Sequence, residues 1–401
     1  MAIRPAAGRS RSRTACVSTG FDGSPPPRHC PAMSNADFES ARLTVRLGAV
    51  VSNYHLCQRL AGPAAVAGVV KADGYGLGAV AVARTLAAAG CDTFFVARLE
   101  EGVQLRPIVP EARIFVLDGA TPDSVPALIT HRLTPVLNSL AQIAGWNAAA
   151  RETRVSLDAA IHIDTGMNRL GLAGDELALL AAEWNKRLEY VRPVLLMSHL
   201  ACADEPAAKM NAVQLDRFHT ALAMLPAMPA SLASTGGVLL GKDYAFDLVR
   251  PGIGLYGGNV QNLPANPFAV VAVLTARVLQ IRRVDGGASV GYGATWRTKA
   301  PATLASVGLG YADGLLRAIG NRGHAAIDGM RVPIAGRVSM DLTTLDVSAI
   351  PPKSISTDTR AEFFGDTITL EEVAAAGNTA IYEILSSLSA RVPRHYEDGA
   401  A

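Results

Sequence analysis

The segment around Lys71 places an amine at the end of an apolar run. Val69 and Val70 come directly before Lys71, and Tyr75 follows within a glycine-containing stretch. Burial lowers the pKa of a lysine amine and makes the amine a nucleophile for an aldehyde, which is the chemistry of a Schiff base. A lysine at the end of a strand is also commonly a solvated charge at the rim of a sheet. The segment therefore predicts a covalent anchor only if other groups converge on it.

The same segment contains the spacing Gly74-x-Gly76-x-x-Ala79, a loose form of the dinucleotide-binding pattern. A dinucleotide-binding unit needs an acid at the end of the next strand, whereas Asp92 precedes that strand. An oxidoreductase is therefore the weakest of the interpretations that the segment allows.

Four further segments place polar groups directly after apolar runs. Guanidinium donors suit a phenolate or carboxylate, and a histidine suits proton transfer. Hydroxyl and backbone N–H groups in a Ser-Thr-Gly-Gly stretch suit a phosphate. Two of the segments also have a plainer interpretation, as a surface arginine in a turn or as a histidine packed in the core. The segments carry, in chain order, Arg169, His199, Thr235, and the group Arg250, Gly252 and Ile253.

Eight short runs rich in Val, Ile and Leu must position these groups, and they lie at 66–71, 93–97, 113–117, 133–137, 159–163, 194–199, 230–234 and 248–255. Stretches with the three- and four-residue apolar spacing of amphipathic helices lie between them, at 77–89, 139–151, 175–187 and 211–225. Strands that are apolar at consecutive positions are buried on both faces. The pattern predicts an N-terminal (β/α)8 TIM barrel, in which functional groups lie at the carboxyl ends of the strands and phosphate binds after strands seven and eight.

The pattern changes after residue 268. The runs at 270–284, 302–309, 325–334 and 343–347 follow one another through Gly-rich turns without intervening helices, which indicates strands. Short helices are expected at 370–376 and 382–389. We therefore expect a disordered extension over 1–38, a barrel domain over 39–267 and a mainly β C-terminal domain over 268–396.

Composition is that of an ordinary enzyme. The 401 residues are 49% hydrophobic and 18% charged, with a net charge of +2, so neither nucleic acid nor a membrane is an expected partner. The five cysteines are scattered and form no C-x-x-C pair, which favours a cytoplasmic protein without a disulfide framework or a metal site. The first 32 residues carry five arginines and one acid. That stretch is either transit-like or an over-extended start before Met33, and we favour the second.

Taken together, the motifs resemble those of alanine racemase, a family of fold-type III pyridoxal-phosphate enzymes. The resemblance runs from about residue 40 to residue 396. The motifs that carry it are VVKADGYG (69–76), DTGMNRLG (164–171), SHL (198–200), VRPGIGLYG (249–257), VGYGAT (290–295), GYADG (310–314), GRVSMD (336–341) and IYEIL (381–385).

The resemblance implies a role for each matching residue. Lys71 would bond covalently to pyridoxal phosphate, and the cofactor phosphate would be held by Tyr75, Thr235, Gly252, Ile253 and Tyr382. Thr235 stands where the family usually has serine, so the hydroxyl is kept. Arg250 would contact the pyridine nitrogen. Because an arginine keeps its proton, the ring would be a poorer electron sink.

The resemblance also implies two bases on opposite faces of the substrate. Tyr292 would take the proton from L-alanine and Lys71 the proton from D-alanine, with His199 bonded to Tyr292 and Arg250. Arg169 and the backbone of Met340 would bind the substrate carboxylate, and Arg169 would also reach the cofactor phenolate. The resemblance further implies a homodimer whose active sites are shared between the subunits. The expected role of the product, D-alanine, is in the synthesis of peptidoglycan.

One position departs from the family pattern. Many members carry a carbamylated lysine where this chain has His162, and that anion braces the arginine that corresponds to Arg169. A histidine cannot form a carbamate anion. We expect neutral His162, or a bound anion, to accept a hydrogen bond from Arg169 instead.

Other functions remain open at this stage. A racemase of serine or of several amino acids would use the same residues, since pocket volume decides the substrate. A decarboxylase or a D-amino-acid lyase would keep the barrel lysine but would not need Tyr292. A pyridoxal-phosphate carrier protein would not need a second domain of about 130 residues.

Overall fold

A computed structural model describes residues 39–398 of the chain. The predicted disorder over 1–38 lies outside the described residues. The described chain begins with strand β1 (Ala41–Arg46) and helix α1 (Leu47–Ala61). β1 precedes the barrel in the sequence but belongs to the sheet of the second domain, where it pairs with two strands near the C-terminal end of the chain.

The barrel is a closed ring of parallel strands. Strands β3 to β9 pair in sequence order, and β10 pairs with β2. The N–H of Ala65 donates to the carbonyl of Asp247 at 2.9 Å, and that of Arg250 donates to the carbonyl of Ala233 at 2.9 Å, so the last strand joins both its neighbours. The predicted barrel is confirmed. Its strands are β2 (Ala65–Val66), β3 (Gly68–Val69), β4 (Thr93–Val96), β5 (Arg113–Val116), β6 (Thr134–Leu137), β7 (Leu157–His162), β8 (Val191–Met197), β9 (Ala230–Ser231) and β10 (Leu248–Val249).

Helices surround this ring, and the predicted helix over 175–187 is interrupted. Glu183 leaves the helical conformation with φ −114° and ψ 23°, and its carboxylate pairs with Arg187 at 2.6 Å. The helices of the barrel domain after α1 are α2 (Lys71–Tyr75), α3 (Ala79–Ala88), α4 (Leu99–Leu105), α5 (Val125–Thr130), α6 (Leu140–Thr153), α7 (Gly174–Ala182), α8 (Trp184–Arg187), α9 (Lys209–Met224) and α10 (Thr235–Leu240).

The second domain is mainly β, as predicted, but the single strand expected over 325–334 is wrong. Asp328 and Gly329 have φ of 47° and 75°, which is the backbone of a tight hairpin turn, so the segment folds back on itself. The elements are β11 (Ala272–Val284), β12 (Ser289–Val290), β13 (Trp296–Arg297), β14 (Ala302–Val307), β15 (His324–Ile327), β16 (Met330–Pro333), β17 (Thr343–Asp346), β18 (Arg360–Phe364), α11 (Leu370–Gly377), α12 (Ile381–Ser386) and β19 (Arg394–Glu397).

The end of the second domain packs against the turn that follows Lys71. Arg394 Nη2 donates to the carbonyl of Gly76 at 3.0 Å, and the Tyr396 hydroxyl donates to the carbonyl of Leu77 at 3.1 Å. β1 lies between β11 and β19 in this sheet and leads directly into the barrel domain, so it connects the two. No helix between residues 39 and 398 is long and apolar enough to cross a membrane.

Candidate active site

Lys71 lies at the start of a left-handed turn. Within α2, Ala72, Asp73 and Gly74 have φ of 53°, 52° and 61°, and Tyr75 has φ of 56°. Left-handed backbone costs an L-residue that carries a Cβ about 1–2 kcal/mol. Such strain persists only where the surrounding structure holds it, and it concentrates at functional sites.

A cavity of about 350 Å³ opens beside Lys71 at the carboxyl ends of the barrel strands. Tyr382, on α12, gives it one wall from the second domain, and His162 and Phe95 also line it. The barrel thus brings together side chains that are far apart in the sequence. The predicted residues in its lining are Lys71, Tyr75, Arg169, His199, Thr235, Arg250, Gly252, Ile253 and Tyr382.

Arg250 is fixed by three acceptors beneath the cavity. Only 4% of Arg250 is exposed. Its Nη1 donates to the Ser231 hydroxyl, and its Nη2 donates to the carbonyl of Ser198 at 2.6 Å and to that of Leu232 at 3.3 Å. Burial lowers the pKa of Arg250 to about 10, so the guanidinium stays protonated at neutral pH and keeps one orientation.

Among the described residues, the ionisable side chains that line the cavity are cations, imidazoles and tyrosines, and none is a carboxylate. Burial, together with the charges of Arg169 and Arg250, lowers the pKa of Lys71. Burial and the same two arginines also hold the pKa of His199 well below its ordinary value. The Lys71 amine is therefore easier to deprotonate than a solvated lysine, and His199 is neutral at physiological pH.

The segments after β9 and β10 form a small cradle. The Thr235 hydroxyl accepts N–H bonds from Gly252 at 3.0 Å and from Gly254 at 3.1 Å. A Cβ on Gly252 would collide with the Tyr75 hydroxyl, so the backbone comes this close only because the residue is glycine. The predicted eighth strand over 248–255 is wrong in length. β10 ends at Val249, and the chain then turns through Gly252 into a 3-10 helix that begins at Ile253; both residues line the cavity.

Arg169 follows a turn that an aspartate shapes. Oδ1 of Asp164 accepts the N–H groups of Gly166 and Met167, both at 2.9 Å. The N–H of Asn168 reaches both carboxylate oxygens, at 3.1 and 3.0 Å. A carboxylate that accepts several backbone N–H groups makes a stable tight turn. This turn presents Arg169 at the rim of the cavity, where its side chain is exposed.

His162 is locked in one neutral tautomer. Nδ2 of Asn138 donates to the carbonyls of Leu117 and Val136, both at 2.9 Å, so Oδ1 of Asn138 is the atom that faces His162 Nδ1 at 2.7 Å. Because that oxygen can only accept, we assign the proton to Nδ1 and the lone pair to Nε2. Burial and the charge of Arg250 lower the pKa of His162 to about 4. His162 thus offers a neutral acceptor.

The sequence interpretation missed three polar residues behind the cavity, namely Asn138, Glu101 and Gln214. Gln214, fully buried on α9, donates through Nε2 to the Thr165 hydroxyl at 3.0 Å and to the carbonyl of His199 at 2.9 Å. Its Oε1 accepts the N–H of Ala201 at 2.7 Å. It therefore fixes the segment that carries His199. The sequence offered one clue, which is that Gln214 occupies a position that the apolar spacing of the helix predicts to be buried.

Tyr292 and Met340 lie elsewhere. Tyr292 is 71% exposed and Met340 is 54% exposed, and neither lines the cavity of its own chain. Tyr292 stands in a turn between Gly291 and Gly293, whose φ values of 70° and 74° suit glycine. A single copy of the described chain therefore does not bring Tyr292 to Lys71. Between residues 39 and 398, no cluster of His, Cys, Asp and Glu side chains is suited to a metal ion.

Comparisons with known proteins show the family of the chain. Residues 45–260 match the family model for the N-terminal domain of alanine racemase, and residues 271–396 match the model for its C-terminal domain. Alanine racemase of Rhodospirillum rubrum is 46% identical over 366 residues, which covers 91% of this chain and 98% of the relative. A catabolic alanine racemase of Agrobacterium fabrum is 45% identical, covering 89% and 92%.

The solved structures that resemble this chain are also alanine racemases. The alanine racemase of Bartonella henselae, solved with covalently bound pyridoxal phosphate, superposes with a TM-score of 0.86 at 37% identity and covers 90% of this chain and 100% of that one. The biosynthetic enzyme of Pseudomonas aeruginosa has a TM-score of 0.84 at 36% identity, covering 90% and 99%. The two family models together cover most of the chain, in the order in which the barrel and the second domain occur. The protein belongs to the alanine racemase family.

Proposed function

We propose that the protein interconverts L-alanine and D-alanine, with pyridoxal phosphate bonded to Lys71 and with Lys71 and Tyr292 as the two bases. The observation that carries the proposal is the cavity. It surrounds an amine of lowered pKa with Arg169, Arg250 and His199, and none of its lining residues between 39 and 398 is a carboxylate. The family membership and the pyridoxal phosphate bound in a relative support it.

The cavity residues fit pyridoxal phosphate. The cofactor carries an aldehyde, a phenolate and a phosphate, and the described part of the chain gives the cavity one amine and two guanidinium groups and no carboxylate. The first N–H groups of a helix have no partner within it, and the side chain of Ser234 does not cap α10. Those N–H groups, the Thr235 hydroxyl and the backbone of Gly252 and Ile253 would hold the phosphate, with Tyr75 and Tyr382 beside it.

Each side chain then has a defined task. When bound, pyridoxal phosphate stabilises negative charge at the substrate Cα, so that a proton can leave one face and return on the other. Lys71 would hold and move the proton on the D face, and Tyr292 the proton on the L face. Arg250 would donate to the pyridine nitrogen and keep its own proton. His199, kept neutral by burial, would relay between Tyr292 and Arg250.

Arg169 and the backbone of Met340 would bind the substrate carboxylate. In this proposal His162 replaces the family's carbamylated lysine. Nε2 of His162 carries a lone pair and would accept a hydrogen bond from Arg169. The Asn138 amide supports this role, because it keeps the proton on Nδ1. The assembly would thus orient Arg169 without any added negative charge.

The proposal requires a homodimer with shared sites. Tyr292 and Met340 are exposed and away from the cavity of their own chain, as expected if they reach the cavity of a second copy. We further propose that the protein works in the cytoplasm, where the free thiols of Cys57, Cys91 and Cys202 stay reduced.

The supply of D-alanine for peptidoglycan is the biosynthetic form of this proposal. Agrobacterium fabrum has relatives of both kinds: the catabolic alanine racemase is 45% identical and the biosynthetic one is 41% identical to this chain. The chemistry proposed for the site is the same in either role.

Solvent isotope exchange tests the two bases. Purified protein is incubated in D₂O with L- or D-alanine, and deuterium at Cα is followed by mass spectrometry for the wild type, Lys71→Ala and Tyr292→Phe. We expect the wild type to exchange both enantiomers, Lys71→Ala to lose the visible absorption of the lysine-bound cofactor, and Tyr292→Phe to lose exchange from L-alanine. Full exchange by both variants would refute the proposal.

Mixing the two variants tests the shared site. A dimer of one Lys71→Ala chain and one Tyr292→Phe chain has one site without either base and one site with both. Random subunit exchange should therefore restore roughly a quarter of wild-type activity. If both bases came from the same chain, no mixture would regain activity.

A further inference from the structure

The left-handed turn after Lys71 is held by a glutamate from the neighbouring barrel unit. Oε1 of Glu101 accepts the N–H of Ala72 at 2.6 Å. Its Oε2 accepts the N–H of Ala97 at 2.8 Å and that of Arg98 at 3.1 Å. One carboxylate therefore joins the residue next to Lys71 to the connection that follows β4.

We propose that Glu101 is a positioning residue for Lys71: its carboxylate holds the strained turn onto the neighbouring strand end and thereby fixes where the amine lies. The inference rests on the proposed function of Lys71. It concerns the hydrogen bond to Ala72, since this is the first residue of the left-handed run. Bonds from N–H groups to a carboxylate are stronger than those to neutral acceptors, which suits a backbone that would otherwise relax.

The far end of the turn has separate support. Oδ1 of Asp73 accepts the N–H of Ala79 at 2.8 Å, and Arg394 and Tyr396 bind the carbonyls of Gly76 and Leu77. These contacts fix the chain after the turn. Glu101 acts at the end adjoining Lys71, so its loss should disturb the amine while the loop as a whole remains in place.

Glu101 also acts on Lys71 through its charge. Burial and Arg169 lower the pKa of the Lys71 amine, and the carboxylate of Glu101 opposes them. Removing that charge should lower the pKa of Lys71 further. The basic form of the amine would then be available at lower pH. This effect is separable from the hydrogen bond.

The test compares Glu101→Gln with Glu176→Gln. Glu176 occupies the position in the first turn of α7 that Glu101 occupies in α4. Its carboxylate accepts the N–H of Ala173 at 3.3 Å and the N–H of Leu140, in the neighbouring unit, at 3.5 Å. It is thus a matched capping glutamate that does not touch the Lys71 turn. A third variant, Glu101→Asp, keeps the charge but is one methylene too short to reach Ala72.

Three readouts are taken on the cofactor-loaded proteins: kcat in both directions, the pH profile with D-alanine, and the visible circular dichroism of the bound cofactor. We expect Glu101→Gln to lose roughly 10–100-fold in kcat, as for one hydrogen bond to a charged group. The acid limb of its D-alanine profile should move to lower pH and its visible dichroism should weaken. Glu101→Asp should keep the wild-type acid limb but show the lower kcat.

Glu176→Gln should match the wild type in all three readouts. The inference is overturned if Glu101→Gln behaves like Glu176→Gln, or if Glu101→Asp has full kcat, since reach to Ala72 would then be irrelevant. If Glu101→Gln does not fold, Glu101→Asp decides through its kcat. Absence of racemisation by the wild type would instead refute the proposed function, so the two failures are distinguishable.

Discussion

Replacing His162 by glutamine should remove a pH dependence of stability. Burial lowers the pKa of His162 from 6.5 to about 4. As the pH falls through this interval, the unfolded chain binds a proton at this position while the folded chain does not, so the free energy of unfolding decreases. At about 1.4 kcal/mol for each tenfold change in acidity, the loss for this residue reaches about 3 kcal/mol near pH 4. A glutamine has no proton to bind in this range.

The assay is urea unfolding of the wild type and His162→Gln at several pH values between about 4 and 7. Stability should fall more steeply on acidification in the wild type, and the difference between the two curves should grow to about 3 kcal/mol. The glutamine amide can also donate to Asn138 and accept from Arg169, so the variant should fold at neutral pH and keep part of its activity.

His219→Gln is the control, because His219 is exposed on α9. It makes the same substitution away from the cavity, and its unfolding is measured over the same pH range. Parallel curves for wild type and His162→Gln would show that His162 titrates alike in both states. The neutral, locked tautomer assigned to His162 would then be wrong.

Four further predictions concern the same cavity and the residues that support it. Activity of the wild type should be insensitive to removal of CO₂, and His162→Ala should lose about tenfold or more in kcat/KM, as Arg169 loses its acceptor. Gly252→Ala should weaken binding of pyridoxal phosphate about tenfold or more in equilibrium titrations, since the new Cβ collides with Tyr75. Gln214→Leu should lower the free energy of unfolding by about 1–3 kcal/mol in urea, because it leaves the carbonyl of His199 unpaired.

For each of the three substitutions, one result would contradict the prediction. Normal activity in His162→Ala would remove this residue from the support of Arg169. Unchanged cofactor affinity in Gly252→Ala, against Gly174→Ala at an open surface position as control, would show that the cradle tolerates a side chain. Wild-type stability of Gln214→Leu would mean that the neighbouring hydroxyls or water satisfy its partners.

The barrel was predictable because its signal is repeated. Each unit combines a short apolar run with a helical period, and consecutive apolar residues in a strand require cover on both faces. The ends of elements were less predictable. The run over 248–255 is apolar except for Arg250, yet β10 ends at Val249, since Pro251 and Gly252 favour a turn, and residues 248–255 stay buried in that turn. Apolar content therefore predicted burial there, but not conformation.

β1 illustrates a different limit. Its alternation of buried and half-buried residues is that of an ordinary strand, and nothing in it indicates the sheet to which it belongs. It pairs with β11, whose residues lie more than 200 positions later in the sequence. Such a pairing is decided by the packed structure and not by local preference.

The residues of the site divide in the same way. Lys71, Arg169, His199, Thr235 and Arg250 could be found because each follows an apolar run, and barrel geometry collects such positions. Asn138 and Glu101 could not, since their role depends on which backbone group lies opposite. The position of Tyr292 relative to Lys71 depends, in our proposal, on a second chain, and neither the periodicity nor the fold of one chain contains that information.

The acidic and basic side chains around the cavity occupy different layers, and this separation serves both the loops and the proposed chemistry. The acids stand one layer back, where Glu101 and Asp164 bind backbone N–H groups and shape the turns that carry Lys71 and Arg169. The charged side chains that line the cavity are, among the described residues, all cations. An acid in the lining would pair with Arg169 and compete with an anionic ligand for it. Because these acids are bound to backbone donors outside the cavity lining, the loops gain their rigidity without placing a carboxylate where it would pair with Arg169.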